Sequence, residues 1–329
     1  MVPLHLPPLE PDPGPKPRFF IGAKRLGMLA TVSYIALMAL IAGSTGFYVV
    51  LFPELGALSH DVLQRPHGTW ARAPLMLVVT PCLTGVVGTL VARHLAYGAV
   101  SVLLTVGGSI LIMRLLRSPI APAISAGLLP VALGERSWWY PPSLLIGLAL
   151  LAGISLVWRR IVSPPPAARS DLVDDIVEET PDDYFWIPFF LVFLIAAIML
   201  VRFTGWRFLL FPPLVVIGFE MFAHAEICPW AGRPLVLSIA CTLSATAGVL
   251  FVGLFGVGPL AAAFSIVFGI GVLRVFDLHV PPALAVGLLP FVIPHPNYQF
   301  PVAVAAGTLL LTVSFMVWRM IIVRAAPAR

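Results

Sequence analysis

Charged residues are scarce in this sequence. Of its 329 residues only 11% are Asp, Glu, Lys or Arg, while 59% are hydrophobic and the mean hydropathy is +0.99. A soluble globular domain carries roughly 25% charged residues, so a single core with a water-facing surface could not accommodate these side chains. We therefore expect lipid to be the main solvent of the chain.

The sequence also lacks the usual active-site motifs. It has no GxxxxGK[ST] phosphate loop, no GxSxG turn and no Rossmann glycine loop. Its histidines show no HExxH spacing, and Cys82, Cys228 and Cys241 have no CxxC or Cys/His spacing, so we interpret these cysteines as small core residues. We predict that the protein is not an enzyme and has no cofactor or metal. A membrane enzyme for lipid or quinone and a bis-His haem are the alternatives.

Long apolar runs are what the sequence has instead. A helix needs about 17 to 25 apolar residues to cross a bilayer. Eight runs of that kind are present: Leu26–Ala42, Ala73–Val91, Leu95–Leu116, Pro141–Val157, Phe185–Val201, Pro234–Phe255, Val257–Val275 and Pro301–Val317. Four shorter segments are broken by proline or glycine: Gly46–Leu58, Pro119–Gly134, Phe208–Phe222 and Val280–Pro294. The predicted fold is an all-α polytopic membrane protein.

The two halves of the chain share residues at an offset of 160 positions. The segment Gly127–Pro130 recurs as Gly287–Pro290, and the matches include residue types that rarely coincide by chance. Examples are Trp70 with Trp230, Arg114 with Arg274, Pro122 with Pro282 and Trp158 with Trp318. We predict two parallel tandem repeats, each with four long spans and two short broken helices.

Five regions follow from this division. They are a disordered Pro-rich cytoplasmic tail (1–22), a first membrane repeat (23–160), an acidic Pro-rich linker (161–183), a second membrane repeat (184–322) and a C-terminal tail (323–329). The linker carries seven carboxylates from Asp171 to Asp183. We interpret it as a solvated surface segment or short amphipathic helix, with an acidic docking or cation site as the alternative.

The positions of Lys and Arg predict an orientation. If the short segments cross the membrane and the N-terminus is cytoplasmic, 16 of the 20 Lys and Arg residues lie inside, and Arg93, Arg136, Arg202 and Arg207 lie outside. If the short segments leave on the side they entered, the split is 11 to 9. The six-crossing arrangement is favoured. Both arrangements give a multi-pass protein of the cell inner membrane with both termini in the cytoplasm.

Proline fits the first turn of a helix, so Pro119–Pro122 and Pro281–Pro282 predict the starts of short helices that end near Pro130 and Pro290. A broken helix persists in a membrane where protein or a water-filled cavity surrounds the break. Its free N–H groups suit an anion. The alternative is a pair of kinks in packed helices. The predicted substrate-binding residues are Arg117, Pro119, Pro122, Gly127, Asp277, His279, Pro281, Pro282 and Gly287.

Ionisable residues near the short segments suggest further roles. At the offset of 160, Arg117 corresponds to Asp277 and Pro119 to His279, and an Arg117–Asp277 ion pair is one option. A carboxylate inside a span is expensive and usually functional. Glu220 is therefore the predicted proton-coupling residue, while Glu54 and Glu226 are expected at membrane edges.

These residues resemble the HPP family of integral membrane proteins, named for a His-Pro-Pro motif. The second half reads His279-Val280-Pro281-Pro282, so a valine interrupts the triplet, and Pro119 stands where the histidine of the first half would fall. The stretch from Phe52 to Pro74 and its counterpart in the second half also resemble that family. The resemblance implies a link to nitrite transport.

The predicted function is a secondary transporter or permease for a small, nitrite-like anion, with its site between the paired broken helices. The alternative is a non-transporting membrane scaffold or a subunit of a membrane complex. The expected partners are the lipid bilayer and the anionic substrate, with a homo-oligomer or membrane partner as a further option. Nucleic acid is excluded because no basic cluster is interleaved with exposed aromatic residues.

Overall fold

The computed structural model describes residues 18–162, 173, 175–179, 181 and 184–325, and within those ranges it contains helices and loops but no strand. The predicted disordered tail falls almost wholly outside the described residues. So do most of the linker and the last four residues of the chain.

In the first half of the chain, the described residues form seven α-helices. They are α1 (Arg18–Thr45), α2 (Leu55–Gln64), α3 (Thr69–Arg72), α4 (Pro74–His94), α5 (Ala99–Leu116), α6 (Ala123–Leu133) and α7 (Tyr140–Ile161). A 3-10 turn at Tyr48–Val50 joins α1 to α2. Proline occupies the first turn of α4 and α7, where its missing N–H leaves no unpaired group.

From residue 184 onward, the described part of the chain forms six α-helices. They are α8 (Ile187–Thr204), α9 (Pro212–Ala223), α10 (Pro234–Phe255), α11 (Pro259–Val275), α12 (Pro282–Leu288) and α13 (Gln299–Ala325). A 3-10 turn at Arg207–Leu210 precedes α9, and a second one at Leu289–Phe291 continues α12.

Seven of these helices are long and apolar enough to cross a membrane: α1, α4, α5, α7, α8, α10 and α13. The protein is therefore a multi-pass helical membrane protein, as the sequence predicted. The eighth predicted span is the 17-residue helix α11, which falls just below the length of the other seven. Large apolar side chains such as Leu75, Phe203 and Val275 are exposed along these helices, as expected of a surface that faces lipid.

Glycine allows two pairs of helices to cross closely. A Cβ on Gly88 of α4 would collide with the carbonyl group of Gly127 in α6, and one on Gly248 of α10 would collide with that of Gly287 in α12. Small residues let backbones approach in this way inside membranes. At the first crossing the Thr84 hydroxyl donates a hydrogen bond to the Ala123 carbonyl over 2.6 Å.

The two halves pack against each other through equivalent elements. The long helix α1 contacts α11, and α8 contacts α5. Among the short helices, α2 contacts α12, α6 contacts α9, and α9 also contacts α12. The centre of the molecule is thus built from short helices of both halves.

The ends of the short helices differ slightly from the expectation. Helix α6 continues through Pro130 to Leu133 and ends at Gly134, whose φ of +73° favours glycine. Helix α12 loses its α-helical geometry after Leu288, and the 3-10 turn that follows contains Pro290. Proline removes a backbone donor, so a turn with fewer α-type bonds tolerates it.

Candidate functional site

The short helices α2, α6, α9 and α12 enclose the most deeply buried part of the protein. Every residue of α9 from Pro212 to Phe222 is buried, as is every residue of α12. Gly56 of α2 faces Leu284 and Leu288 of α12 so closely that a Cβ there would lie 2.8 Å from the Leu288 side chain. This region is the candidate site because it joins the two halves and contains the buried carboxyl groups of Glu54 and Glu220, in addition to Asp61, which is paired with Arg65.

Glu54 is the first of these carboxyl groups. It lies at the N-terminal cap of α2 and is 0% exposed. Neither of its carboxyl oxygens has a hydrogen-bond partner within 3.5 Å, although the Ser125 side chain of α6 lies beside the group. The sequence placed Glu54 at a membrane edge; it is instead enclosed by protein, because Phe52 and Leu55 on either side of it are also fully buried.

Glu220 is the second carboxyl group, and it lies near the end of α9. Its exposed fraction is 2%, in an otherwise apolar helix. Glu226, only six residues later, is exposed, so the chain reaches the surface between them. Buried ionisable groups in membrane proteins mark ion or substrate paths. The proton-coupling role of Glu220 stays a prediction.

The residues predicted to bind substrate at the start of α6 have different environments. Arg117 is exposed, with a left-handed φ of 49° at the end of α5. The Pro119 carbonyl accepts a hydrogen bond from the Trp70 indole over 3.0 Å, and Pro122 is buried at the cap of α6. Gly127 lies deeper, where a Cβ would meet the hydroxyl oxygen of Ser109. Gly127 therefore has a packing role.

The corresponding residues at the start of α12 show the same division. Asp277 is exposed with a φ of 50°, and His279 is half-buried. Pro281 and Pro282 are buried in the first turn of α12. Gly287 is buried, and its carbonyl accepts a hydrogen bond from the Ser265 hydroxyl over 2.8 Å.

The structure does not bring the two sets of predicted residues together directly. Helix α6 packs on α9 and α12 packs on α2, so α6 and α12 are not close neighbours. Arg117 and Asp277 are both exposed and form no ion pair with each other. The site between α6 and α12 stays a prediction, and in the fold α9 contacts both of these helices while α2 contacts α12.

An ion-paired network lies at one end of the molecule, which we call the linker face. Arg65, at the end of α2, pairs with Asp61 at 2.6 Å, with Asp175 at 3.2 Å and with Glu178. Asp175 also pairs with Arg72 at 3.0 Å. The described part of the linker is therefore docked on the membrane domain, and its residues 173 and 175–177 are helical, which favours the short amphipathic helix over the solvated segment.

Two further contacts hold the linker in place. The Arg114 side chain donates a hydrogen bond to the Pro181 carbonyl over 2.6 Å and lies over the Tyr184 ring. Val177 and Glu178 are buried, with exposed fractions of 3% and 6%. Burial of a charged carboxylate is costly unless an opposite charge is paired with it, and Arg65 supplies that charge for Glu178.

The other end of α4 leads to a cavity of about 170 Å³, and we call this end the pocket face. The 21 residues of α4 separate the two faces by about 31 Å, at 1.5 Å per residue. The cavity is lined by the polar side chains of Tyr97, Arg136 and Arg207, together with Ala92, Leu95, Ala96, Val131 and Gly134. Residues from both halves of the chain thus meet at this face.

Tyr97 is the buried polar group of this cavity. Its hydroxyl oxygen is inaccessible to solvent and has no hydrogen-bond partner. The Arg207 guanidinium lies over its ring at 5.5 Å from the centroid. Burial raises the pKa of Tyr97 to about 12, with Arg207 opposing the rise, so the hydroxyl keeps its proton at neutral pH and can donate it to an acceptor.

Sequence reasoning found Glu220 but missed the burial of Glu54 and the cavity at the pocket face. The signal for the cavity was available, because Arg136 and Arg207 are two of the four cations on the sparsely charged side. Within the described ranges, no cluster of His, Cys, Asp and Glu could hold a metal ion.

The chain matches no protein family, no curated protein and no solved structure.

Proposed function

We propose that the protein is a secondary permease for a small anion such as nitrite, built from two parallel tandem copies of one membrane unit. The observation that carries the proposal is the meeting of four short helices from both halves, with the buried carboxyl group of Glu54 at the start of α2 beside Ser125 of α6. Helices that end inside a membrane protein need protein or a solvated cavity around their free backbone groups, and transporters use such sites for substrates.

Exchange of the two halves preserves most of the packing pattern, which supports the duplication, although the contact of α9 with α12 has no counterpart of similar extent between α2 and α6. The contact of α1 with α11 corresponds to that of α8 with α5, and the contact of α2 with α12 corresponds to that of α9 with α6. The glycine crossings obey the same offset of 160, since Gly88 meets Gly127 and Gly248 meets Gly287. Arg117 and Asp277, also 160 positions apart, share the left-handed backbone conformation. Two parallel copies related by an axis along the membrane normal would produce this pattern.

The linker face is the cytoplasmic face in this proposal. Arg65, Arg72 and Arg114 lie there and belong to the 16 Lys and Arg residues that the sequence predicts on one side, whereas Arg93, Arg136 and Arg207 at the pocket face are three of the four predicted on the other. The rule that Lys and Arg concentrate in cytoplasmic loops then assigns both termini to the cytoplasm of the inner membrane.

Proton coupling gives the buried carboxyl groups a role. An anion that enters a cell against an inside-negative potential of 100 mV meets a cost of about 2.3 kcal/mol. A proton carried with it cancels the charge that crosses the membrane. Three acidic side chains are buried on the short helices, and one of them, Asp61, is ion-paired with Arg65. Glu54 and Glu220 are the other two, so they are the groups that would carry the proton.

Flux into liposomes tests the proposal. Purified protein should admit nitrite faster than protein-free liposomes, and an inward proton gradient should accelerate the uptake. Glu54→Gln and Glu220→Gln keep the shape of the side chain but cannot release a proton, so each should abolish the dependence on the gradient. Glu226→Gln is the matched control, because Glu226 is exposed.

The competing interpretation is a scaffold or subunit that transports nothing. It predicts equal flux with and without protein for nitrite, nitrate, formate and chloride, together with a partner that copurifies in fixed proportion. That result would exclude the permease. The resemblance to the HPP family supports nitrite as the first anion to try.

A further inference from the structure

We propose that the cavity at the pocket face is a binding site for an oxoanion, in which the guanidinium groups of Arg136 and Arg207 supply the positive charge and the Tyr97 hydroxyl donates a hydrogen bond. This site lies at the C-terminal end of α6, where Val131 and Gly134 line the cavity. It can exist whether or not the protein transports anything.

The size of the cavity admits a ligand. One water molecule needs roughly 10–15 Å³, and the cavity measures about 170 Å³. A planar or tetrahedral oxoanion with its remaining water molecules fits in that space. The apolar part of the lining consists of small or medium side chains, Ala92, Leu95, Ala96 and Val131, which leave room between the polar groups.

The charge of the cavity favours an anion. Neither Arg136 nor Arg207 has a carboxylate partner among the described residues, in contrast to Arg65 at the linker face. The neighbouring carboxylate, Glu135, accepts the N–H of Ser137 over 2.7 Å and does not line the cavity. Guanidinium groups bind planar oxoanions through paired, charge-assisted hydrogen bonds.

The Tyr97 hydroxyl favours a ligand that can accept a hydrogen bond. It is buried without a partner, which is costly for a hydroxyl group unless a ligand or water completes its hydrogen bond. The ring is held in position under Arg207. With a small rotation of the Tyr97 side chain into the cavity, an anion at the edge of the ring would accept from the hydroxyl and from Arg207 at once.

The cavity is assembled by contacts that fix its arginines. Arg93 donates a hydrogen bond to the Arg136 carbonyl over 2.7 Å and lies over the Trp138 ring, so it holds the loop that carries Arg136. Arg207 begins the 3-10 turn before α9, and Tyr97 lies in the loop between α4 and α5. The site therefore needs both halves of the chain in contact.

Calorimetric titration of the full chain in dodecyl maltoside tests the proposal, with nitrite, nitrate and inorganic phosphate as the probes. Saturable binding of at least one oxoanion is expected. Arg136→Gln and Arg207→Gln should each weaken it by about tenfold or more, because each loses a charge-assisted hydrogen bond. Tyr97→Phe removes one neutral hydrogen bond and should weaken binding by roughly threefold.

Arg202→Gln is the matched control, because Arg202 is an exposed arginine in the last turn of α8 that does not line the cavity. The Arg202→Gln variant should bind the oxoanion with the same affinity as the unmodified protein. Equal weakening by Arg202→Gln and Arg207→Gln would overturn the proposal, since a diffuse positive surface would then explain the binding. Absence of saturable oxoanion binding would overturn it as well.

A third overturning result is a lower melting temperature of Arg207→Gln with unchanged affinity. That result would mean that Arg207 only neutralises the C-terminal end of α6, where unpaired carbonyl groups attract cations. The melting temperature of every variant is measured in the same detergent, so that loss of folding is distinguished from loss of the site.

The oxoanion can come from solution or from a lipid headgroup. Adding short-chain phosphatidylglycerol to the micelles distinguishes the sources, because competition with nitrate assigns the site to a lipid phosphate and its absence assigns it to a free ion. Either outcome supports an oxoanion site. Binding is measured without flux, so a protein that binds but does not transport keeps this site and loses the permease proposal.

Discussion

The two ends of this protein use arginine in opposite ways. At the linker face, Arg65 is buried and its charge is matched by Asp61, Asp175 and Glu178. At the pocket face, Arg136 and Arg207 are exposed around a cavity and have no carboxylate partner among the described residues. The difference indicates that the arginine charges at the linker face stabilise the fold. Those at the pocket face have no carboxylate partner among the described residues and are available to bind a ligand.

Removal of the Arg65 charge should have the largest effect of the changes that test this comparison. Arg65→Gln leaves the carboxylates of Asp61 and Glu178 buried without their counter-charge, and removal of one partner of a buried pair costs about 3–5 kcal/mol. We expect a strongly lowered melting temperature in detergent. Arg136→Gln, at the pocket face, is the control and should leave the melting temperature unchanged. Equal behaviour of the two variants would contradict the comparison.

The second test concerns the linker. Glu178→Gln removes the charge that docks the linker on Arg65 and should lower the free energy of unfolding by about 2 kcal/mol. Because docking is lost before the membrane domain unfolds, proteolysis near residues 175–179 should also become faster. Glu179→Gln is the control, since Glu179 is exposed. A linker equally resistant to protease in both variants would argue against docking through Glu178.

The third test uses salt. Exposed charges are screened over about 30 Å at 0.01 M ionic strength but over only 3 Å at 1 M. Sodium chloride should therefore weaken nitrate binding at the pocket face several-fold between these limits. The melting temperature should change little, because the Arg65 pairs are buried. A steep fall in melting temperature with constant affinity would reverse the assignment of the two faces.

The smallest expected effect is that of Arg72. Its side chain is 56% exposed, and its pair with Asp175 at 3.0 Å is open to solvent. Exposed pairs contribute about 0–1 kcal/mol, so Arg72→Gln should lower the free energy of unfolding by no more than about 0.5 kcal/mol. A loss as large as that of Arg65→Gln would show that the network acts as one unit.

Much of the fold could be predicted from the sequence. Seven of the eight predicted spans are helices of spanning length, because an apolar run of that length has few other stable conformations in lipid. Proline marked the start of α12, and the predicted span Pro234–Phe255 has the same bounds as α10, since the missing N–H of proline is harmless only in a first turn. The orientation, the duplication and the family resemblance stay predictions.

Less of the site could be predicted. The sequence placed it between α6 and α12, but the short helices pair across the two halves, α6 with α9 and α12 with α2. Glu54 follows a proline in a broken segment, which is typical of a membrane edge, yet it is fully buried. Its burial depends on Ser125 and the rest of α6, far away in the sequence, and no local pattern contains that information.

The sequence by itself determined that this protein lies in a membrane, which of its segments are helices, and where they begin. Those properties depend on hydropathy and backbone chemistry summed over neighbouring residues. Only the tertiary structure decided which charges are neutralised. Arg65 and Glu178 are 113 residues apart, and Tyr97 meets Arg207 from the other half of the chain. Electrostatic pairing depends on distance in space, so identical arginines become a structural contact at one face and a candidate ligand site at the other.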